Sequence, residues 1–393
     1  MPAYARSQIV EPAVVGIYHC VNRCVRRAFL CGEDAHAGRS FEHRREWIRQ
    51  RLETLAGLFA VEVLGFCVMA NHLHVILRIR PDLARQWDDE AVARRWWQLF
   101  PQRRDDRGEP LPPEAHDLRA FMADPMFLAE RRSRLACLSW FMRCLSEPIA
   151  RRANREDGCT GRFWEGRFKS QALLDEAAVL AGSIYVDLNP IRAGIAATPE
   201  TSEFTGAFER IVARQAEQAE IAAADGMGPV ALPHQATDAS RRSPADARAG
   251  WLSPIELIET PGTETPGTET PGTLASSDLS GDVRKKIEAP SGDFPRRASD
   301  QGFLPLLRDD YLQLLDWTGR QMRHGKSGTI PSQLAPILER LHVNAANWCD
   351  TVTQFGRWFH RAVGSAANLR RFAQHRGRRW LHGVSRGELA FGA

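Results

Sequence analysis

The chain has 393 residues, of which 43% are hydrophobic and 25% are charged, and its formal net charge is +4. This composition is typical of a globular chain rather than a disordered one, and the length allows two or three domains. No apolar run approaches the roughly 18 residues that a membrane helix needs, and Met1–Pro12 lack the apolar core of a signal peptide. We therefore expect a cytoplasmic protein with no membrane partner.

Arginine supplies 48 of the 52 basic residues, and the eight cysteines contain no CxxC pair. Arginine matches phosphate oxygens well, although a GC-rich genome would explain most of such a bias. The mild basic excess therefore permits a nucleic-acid partner without demonstrating one. The cysteine spacing predicts reduced, packed thiols rather than disulfides or a zinc site.

The first part of the chain alternates between strand-like and helix-like patterns. Val14–Cys24 is strand-like, and Phe41–Phe59 carries an apolar stripe at helical spacing. Ala60–Met69 and Leu73–Ile79 are two further apolar strand candidates, and Pro81 ends the second of them. The order up to this point is therefore β-α-β-β.

A polar insertion separates these elements from a second β-α unit. Asp88–Arg134 predicts short helices around a proline-rich turn, and Leu135–Asn154 a helix that Pro148 should kink or restart. Gly161–Leu174 is a fourth strand candidate, and Asp175–Asn189 is a helix with an Asp cap and a proline just beyond it. The order predicts an α+β fold, an antiparallel sheet with helices packed on one face.

The pattern changes after about residue 205. We expect 206–300 to be a disordered linker, because Thr260–Thr273 repeats TPGTE without an apolar side chain to bury. Residues 301–393 predict a small helical basic domain. Its LRRFAQHRGRRW stretch, Leu369–Trp380, carries five arginines and no acid. This stretch is either a solvated basic tail or a second DNA contact.

Two histidines stand in the third strand candidate. In ANHLHVIL, His72 and His74 flank Leu73, so both imidazoles point to one face of a strand. Such a pair is either a hydrogen-bonded structural pair or part of a metal site. A metal site would need a third ligand and a reacting group.

The last helix of this region offers both. Tyr185 and Asn189 are four residues apart and lie on one helix face. Two imidazoles and an amide oxygen leave positions for water and phosphate oxygens, which suits Mg²⁺ or Mn²⁺. The alternative is that Tyr185 is an ordinary amphipathic helix residue and Asn189 a C-cap before Pro190.

Three motifs in order, ANHLHVIL, GRFWEGRFKS and SIYVDLNPIRAGI, resemble the single-tyrosine HUH transposases, and among them the REP-associated tyrosine transposases. The resemblance covers about residues 14–198, with YHCVNRCVRRAF similar to the opening strand. It implies a ferredoxin-like or RRM-like HUH fold, with a catalytic domain at 1–205. The insertion at 88–134 departs from the family pattern.

The resemblance also implies residue roles. His72 and His74 would bind the divalent metal, Asn189 would be its third ligand, and Tyr185 would be the nucleophile. Attack on a phosphodiester would give a 5′-phosphotyrosine and free a 3′-OH, so that strands could be rejoined without ATP. A tyrosine nucleophile separates such strand transfer from hydrolysis by water.

A basic, aromatic segment supplies candidate DNA contacts. If Gly161–Leu174 is a strand, Arg167 and Lys169 share one face and Arg162 lies on the other. Arginine and lysine suit phosphates, and aromatic rings suit unpaired bases. The alternative is a core of aromatic residues beside solvated charges. Two further candidates lie close to the other motifs: Arg23 and Arg192.

The leading hypothesis is a metal-dependent tyrosine transposase, a single-stranded DNA endonuclease and strand transferase that acts on hairpin-forming DNA. One alternative is a domesticated relative that binds hairpin DNA without strand transfer. Another is a metallonuclease that uses water, with Tyr185 incidental. The family includes monomers and helix-exchanging homodimers, and we expect a monomer.

Overall fold

The computed structural model describes residues 5–25, 30–34, 38–108, 110–226, 248–257, 294–324 and 335–392. The TPGTE repeats at Thr260–Thr273 lie outside the described residues. Within the described ranges, no helix is long and apolar enough to cross a membrane.

The strands of the described residues are β1 Gly16–Arg23, β2 Glu33–Asp34, β3 Arg39–Ser40, β4 Val61–Val68, β5 His72–Ile79, β6 Lys169–Leu173 and β7 Ala362–Val363. Five of them form a sheet at the centre of the molecule, in the order β4-β5-β1-β6-β7. The pairs β4–β5, β5–β1 and β1–β6 are antiparallel, and β7 joins the edge parallel to β6. Strands β2 and β3 form a separate two-stranded sheet.

Helices surround this sheet. The helices before β6 are α1 His43–Leu58, α2 Pro81–Gln86, α3 Asp89–Leu99, α4 Ala115–Met122, α5 Pro125–Leu135 and α6 Leu138–Glu156. Those after it are α7 Glu176–Asp187, α8 Asn189–Arg192, α9 Gly206–Gly226, α10 Arg308–His324, α11 Ala335–Arg340, α12 Trp348–Trp358, α13 Ala366–His375 and α14 Val384–Phe391. The sequence predicts an α+β class and an antiparallel sheet. Both are confirmed, and the antiparallel strands are β4, β5, β1 and β6.

Helices cover both faces of the sheet rather than one. Asn22 of β1 donates a hydrogen bond of 2.9 Å to Ser146 of α6 on one face. On the other face, His19 of the same strand contacts Tyr185 of α7, with ring centroids 5.8 Å apart. Strand β4 is buried along its whole length. Such two-sided burial explains why this strand is apolar without strict alternation.

Two local predictions differ from the structure. Helix α6 runs through Pro148 instead of restarting there. Proline leaves the carbonyl four residues earlier without its usual donor, and Arg51 donates to that Cys144 carbonyl at 2.9 Å. Of the predicted strand Gly161–Leu174, only Lys169–Leu173 is a strand. The preceding segment includes Gly161 in a left-handed conformation at φ 95°, and this backbone interrupts the expected side-chain alternation.

The predicted disordered linker is wrong at both of its ends. Gly206–Gly226 is helix α9. Trp251, at 0% exposure, belongs to the main core, and its ring centroid lies 5.2 Å from that of Phe66. Arg78 of β5 donates to the backbone carbonyls of Gln301 and Gly302 at 2.6 and 2.8 Å. Apolar burial and these buried hydrogen bonds explain why the segments on both sides of the repeats are packed.

The segment predicted as a separate C-terminal domain packs against the predicted catalytic domain at 1–205. Strand β7 completes the sheet, and Phe355 of α12 stacks on Tyr185 of α7. The carboxylate of Asp187, at the end of α7, accepts hydrogen bonds from the Tyr311 hydroxyl of α10 and the Ala207 amide of α9, at 2.6 and 3.1 Å. Burial raises the pKa of Asp187, and Arg210 opposes that effect. This buried network connects helices that the sequence assigned to three separate units.

The Asp187 network predicts that the C-terminal helices contribute to the stability of the whole chain. We expect Tyr311→Phe to lower the free energy of unfolding by about 1.5–3 kcal/mol, because the variant cannot donate a hydrogen bond to the buried carboxylate. Tyr18→Phe is the matched control, since among the described residues the hydrogen-bond partner of its hydroxyl is a backbone N–H, that of Glu11 at 3.2 Å. The control should be destabilised by about 0.5–1.5 kcal/mol. Urea unfolding measures both, and equal destabilisation would contradict the prediction.

Candidate active site

Strand register collects polar side chains on one face of the sheet. In β1 and β5, His74 pairs with Val21 and His72 with Arg23. In β1 and β6, His19 pairs with Gln171 and Val21 with Lys169. Since paired residues point to the same side, the polar members of these pairs all lie on the face that α7 covers.

An open cleft of about 970 Å³ lies over this polar face. His72, His74 and Tyr185 all line it. Six basic side chains also line it: Arg6, Arg23, Arg167, Lys169, Arg192 and Arg357. Among the described residues that line the cleft, Glu165 is the acidic one. The cleft therefore carries a positive charge next to the tyrosine and the histidines.

A chain of hydrogen bonds lies beneath the cleft. Gln171 donates from its amide to the Phe359 carbonyl at 2.5 Å. Its amide oxygen lies 3.2 Å from Nδ1 of His19. Nε2 of His19 lies 2.8 Å from Nδ1 of His74. All three side chains are buried, at 4% exposure or less.

The donor and the acceptor of each hydrogen bond in this series follow from the Phe359 carbonyl at its end. The Phe359 carbonyl can only accept, so the Gln171 oxygen faces His19, and His19 must carry its proton on Nδ1. Nε2 of His19 is then an acceptor, and His74 donates to it from Nδ1. This places the free lone pair of His74 on Nε2. Hydrogen bonds of this type orient metal-binding histidines in other proteins.

His72 has an equivalent arrangement at the cleft surface. Its Nδ1 lies 2.5 Å from the side-chain oxygen of Asn71, so that nitrogen donates and Nε2 keeps the lone pair. The His72 and His74 ring centroids are 4.8 Å apart. The sequence pattern assigns no role to Asn71, but in the structure its side chain is the hydrogen-bond partner of His72.

The surroundings keep the imidazoles uncharged. Burial lowers the pKa of His19 to about 4, and burial together with the positive charge of Arg23 lowers the pKa of His72 to about 4. Burial, helped by the neighbouring histidines and Arg192, lowers the pKa of His74 well below its ordinary value. Neutral imidazoles are the form that binds metal.

Tyr185 is half-buried among rings and a guanidinium. Its ring centroid lies 5.8 Å from that of His74 and 5.1 Å from the stacked ring of Phe355. The guanidinium carbon of Arg192 is 4.7 Å from the ring centroid. A Cβ at Gly356 would stand only 3.1 Å from the phenol oxygen. The absence of a side chain at Gly356 therefore leaves room for the phenol group.

The structure places Asn189 beside Tyr185 but not in the cleft lining. Asn189 is the first residue of α8 and is buried. Its amide nitrogen donates to the Tyr185 carbonyl at 3.1 Å. The role of Asn189 as a third metal ligand stays a prediction.

Four of the five candidate DNA contacts line the cleft, and one does not. Arg23, Arg167, Lys169 and Arg192 are cleft residues, whereas Arg162 is exposed outside it. The alternation predicted for a strand also separates Arg162 from Arg167 and Lys169, although the segment before Lys169 is not a strand.

Sequence reasoning missed several members of the site. His19 has a local signal, because it is a polar residue facing inward in an apolar strand. Gln171, Phe355 and Phe359 have none, because their partners are far away in sequence. Arg6 and Arg357 likewise reach the cleft from outside the motifs.

The donor chemistry suits a divalent cation only in part. Two neutral imidazoles with oriented Nε2 lone pairs line an open cleft, as a metal with water and phosphate ligands requires. In the described part of the chain, however, no group of three or more His, Cys, Asp and Glu side chains could hold a metal ion. A complete site would therefore need another type of ligand, such as an amide oxygen.

The hydrogen-bond chain predicts a single tautomer for His74. In the intact protein, ¹⁵N NMR should show its proton on Nδ1. In His19→Phe the stacked ring is kept while the acceptor is removed, so the Nε2–H tautomer should become populated.

Tyr185→Phe is the control for that experiment. It alters a ring that contacts His74 but leaves the hydrogen-bond chain intact, so the His74 tautomer should not change. An unchanged tautomer in His19→Phe would show that the chain does not set it.

The chain is similar to a solved structure described as a REP-associated tyrosine transposase bound to a REP hairpin. That chain is 14% identical, and the match covers 62% of this chain and 98% of the other, with a TM-score of 0.31. No family model and no curated protein matches.

Proposed function

We propose that the protein is a metal-dependent transposase-like enzyme that cleaves and rejoins single-stranded, hairpin-forming DNA through Tyr185. One observation carries this proposal: a single basic cleft brings Tyr185 together with two neutral histidines whose lone pairs are oriented. The hairpin-forming class of DNA follows from the resemblance of the motifs.

The charge of the cleft supports a phosphodiester substrate. Arg23 and Lys169 extend from adjacent strands on the face that carries the histidines, and Arg192 lies against Tyr185. Cationic side chains attract the DNA backbone and neutralise it without reading its sequence. A negatively charged phosphate could therefore approach the phenol group with little electrostatic cost.

The tyrosine can supply the nucleophile for a balanced transfer. The Tyr185 oxygen would attack phosphorus in line with the departing 3′ oxygen. The phenol loses its proton, the bond from phosphorus to the 3′ oxygen breaks, and that oxygen gains a proton to become a 3′-OH. The new bond to Tyr185 conserves the phosphodiester for later attack by another 3′-OH. The Arg192 guanidinium over the ring would stabilise negative charge on the phenol oxygen.

His72 and His74 would hold the divalent cation, Mg²⁺ or Mn²⁺, with Asn189 as the third ligand implied by the resemblance. When bound, such a cation acts as a Lewis acid toward the scissile phosphate. The protein's own contribution is to keep both imidazoles neutral and aimed into the cleft, through Asn71 for His72 and through His19 for His74.

Tyr185→Phe tests the nucleophile. The variant keeps the ring and its stacking, so its stability should change by less than about 1 kcal/mol. It should bind hairpin DNA as the wild type does, yet form no covalent adduct and release no 3′-OH end. Denaturing gels with Mg²⁺ or Mn²⁺ measure the adduct, and mass spectrometry should locate the nucleotide in the peptide SIYVDLNPIR.

Tyr18→Phe is the matched control for this experiment, because Tyr18 is buried on the opposite face of the sheet, and it should cut normally. Cleavage without an adduct in both Tyr185→Phe and the wild type would instead indicate a nuclease that uses water. Binding without cleavage by the wild type would indicate the DNA-binding relative.

A second experiment tests the metal ligands. His72→Ala or His74→Ala should lower Mn²⁺ affinity by more than about 100-fold, beyond the 10–100-fold effect typical of outer partners, and should abolish cleavage. Asn189→Ala should have a milder effect, since water can replace an amide oxygen. His116→Ala, at an exposed position of α4, is the control and should change neither. Unchanged Mn²⁺ affinity in Asn189→Ala would remove that residue from the ligand set.

A further inference from the structure

We propose that a second, C-terminal groove continues from the cleft and binds the single strand that enters or leaves the site of Tyr185. The identity of its ligand rests on the proposed function, because the cleft is where that strand would be cut. The groove consists of two cavities on the C-terminal helices, of about 800 and 350 Å³.

The cleft and the C-terminal groove adjoin each other. Gln354 and Arg357 of α12 line both the cleft and the larger cavity. Trp380 and His382 line both the larger and the smaller cavity. The shared residues therefore connect the surroundings of Tyr185, through Arg357, with those of Trp380.

Basic side chains line the C-terminal groove. In the described part of the chain, no Asp or Glu lines either cavity. Arg378 and Arg379 line the smaller cavity, and no ion pair of the described residues includes either of them or Arg357. The nearby Arg376, in contrast, pairs with Glu11 at 3.2 Å. Tertiary packing thus divides the basic stretch into a paired part and a part that is available to an anion.

Flat rings lie along the same path. Trp380 is 73% exposed, and the His360 and His382 rings stack with centroids 3.8 Å apart and 9° between their planes. The Arg386 guanidinium lies 5.0 Å from the Trp358 ring centroid. Rings beside cationic side chains are how proteins hold single strands, since bases stack on the rings while the cations contact phosphates. Bases of a duplex are already stacked on one another, so these surfaces favour an unpaired strand.

The test measures binding of DNA hairpins that carry a single-stranded extension of about 2 or about 12 nucleotides, on the 5′ or the 3′ side. The shorter length is below, and the longer within, the roughly 4–16 nucleotides that single-strand binding folds cover. The wild-type chain should bind the longer extension more tightly on one of the two sides. Trp380→Leu keeps an apolar side chain but removes the stacking ring, and it should reduce this gain in affinity roughly tenfold.

The arginines are tested by the double variant Arg378→Ala, Arg379→Ala. For the longer extension, the slope of log affinity against log salt should fall by about 0.7 for each phosphate that an arginine no longer neutralises. The matched control is Arg85→Ala, Arg119→Ala, which removes the same charge from exposed helix positions outside the cavities. The control should keep both the gain in affinity and the slope, and all variants should form the covalent adduct on the short hairpin.

The outcomes separate this proposal from the proposed function. The proposed groove is supported if Trp380→Leu and the Arg378, Arg379 variant both lose the affinity that the wild type gains from the longer extension. This conclusion holds even if the wild type forms no adduct and the proposed chemistry fails. A wild type that gains no affinity from the longer extension overturns the groove, and so does an equal loss in the control. Either result leaves adduct formation at Tyr185 as a separate measurement.

Discussion

The side-chain amide of Gln171 forms one hydrogen bond through its nitrogen and another through its oxygen, and the arrangement of the site depends on this pair of bonds. Its nitrogen donates to the Phe359 carbonyl and its oxygen faces His19, which in turn faces His74. Each group is buried, where an unpaired polar atom costs about 1–3 kcal/mol. Only one assignment of protons satisfies all of them, and that assignment leaves Nε2 of His74 as an acceptor. A requirement of the core thus determines the chemistry that the cleft offers.

This dependence connects the site to the C-terminal part of the chain. The Phe359 carbonyl and the Phe355 ring both come from beyond the TPGTE repeats, and both contact residues of the N-terminal region, Gln171 and Tyr185. Helix α7 is held at both ends in the same way. Its cap Asp175 also accepts hydrogen bonds from the Ser365 amide and the Asn368 side chain, at 2.8 and 2.9 Å. The C-terminal helices are therefore part of the wall that positions Tyr185.

The sequence by itself determined the class of the fold, the strand and helix order around the histidines, and the candidate chemistry. These follow from local rules: side chains alternate along a strand, so His72 and His74 share a face, and an Asp begins a helix by capping it, as Asp175 does. The motif resemblance supplied roles for Tyr185 and Asn189. Most of the elements for which the sequence predicts bounds, all before residue 190, begin and end within a few residues of those bounds.

Only the tertiary structure decided which distant residues complete the site. His19 and Gln171 are 152 positions apart, and Gln171 and Phe359 are 188 apart, so no local pattern could pair them. The same holds for the charges of the arginines, because the amino-acid composition does not show which of them have an acidic partner. In the folded chain Arg376 pairs with Glu11, whereas Arg357 lines the cleft. Local patterns record which face a side chain takes, but hydrogen-bond partners and charge compensation depend on contacts that exist only after the chain has packed.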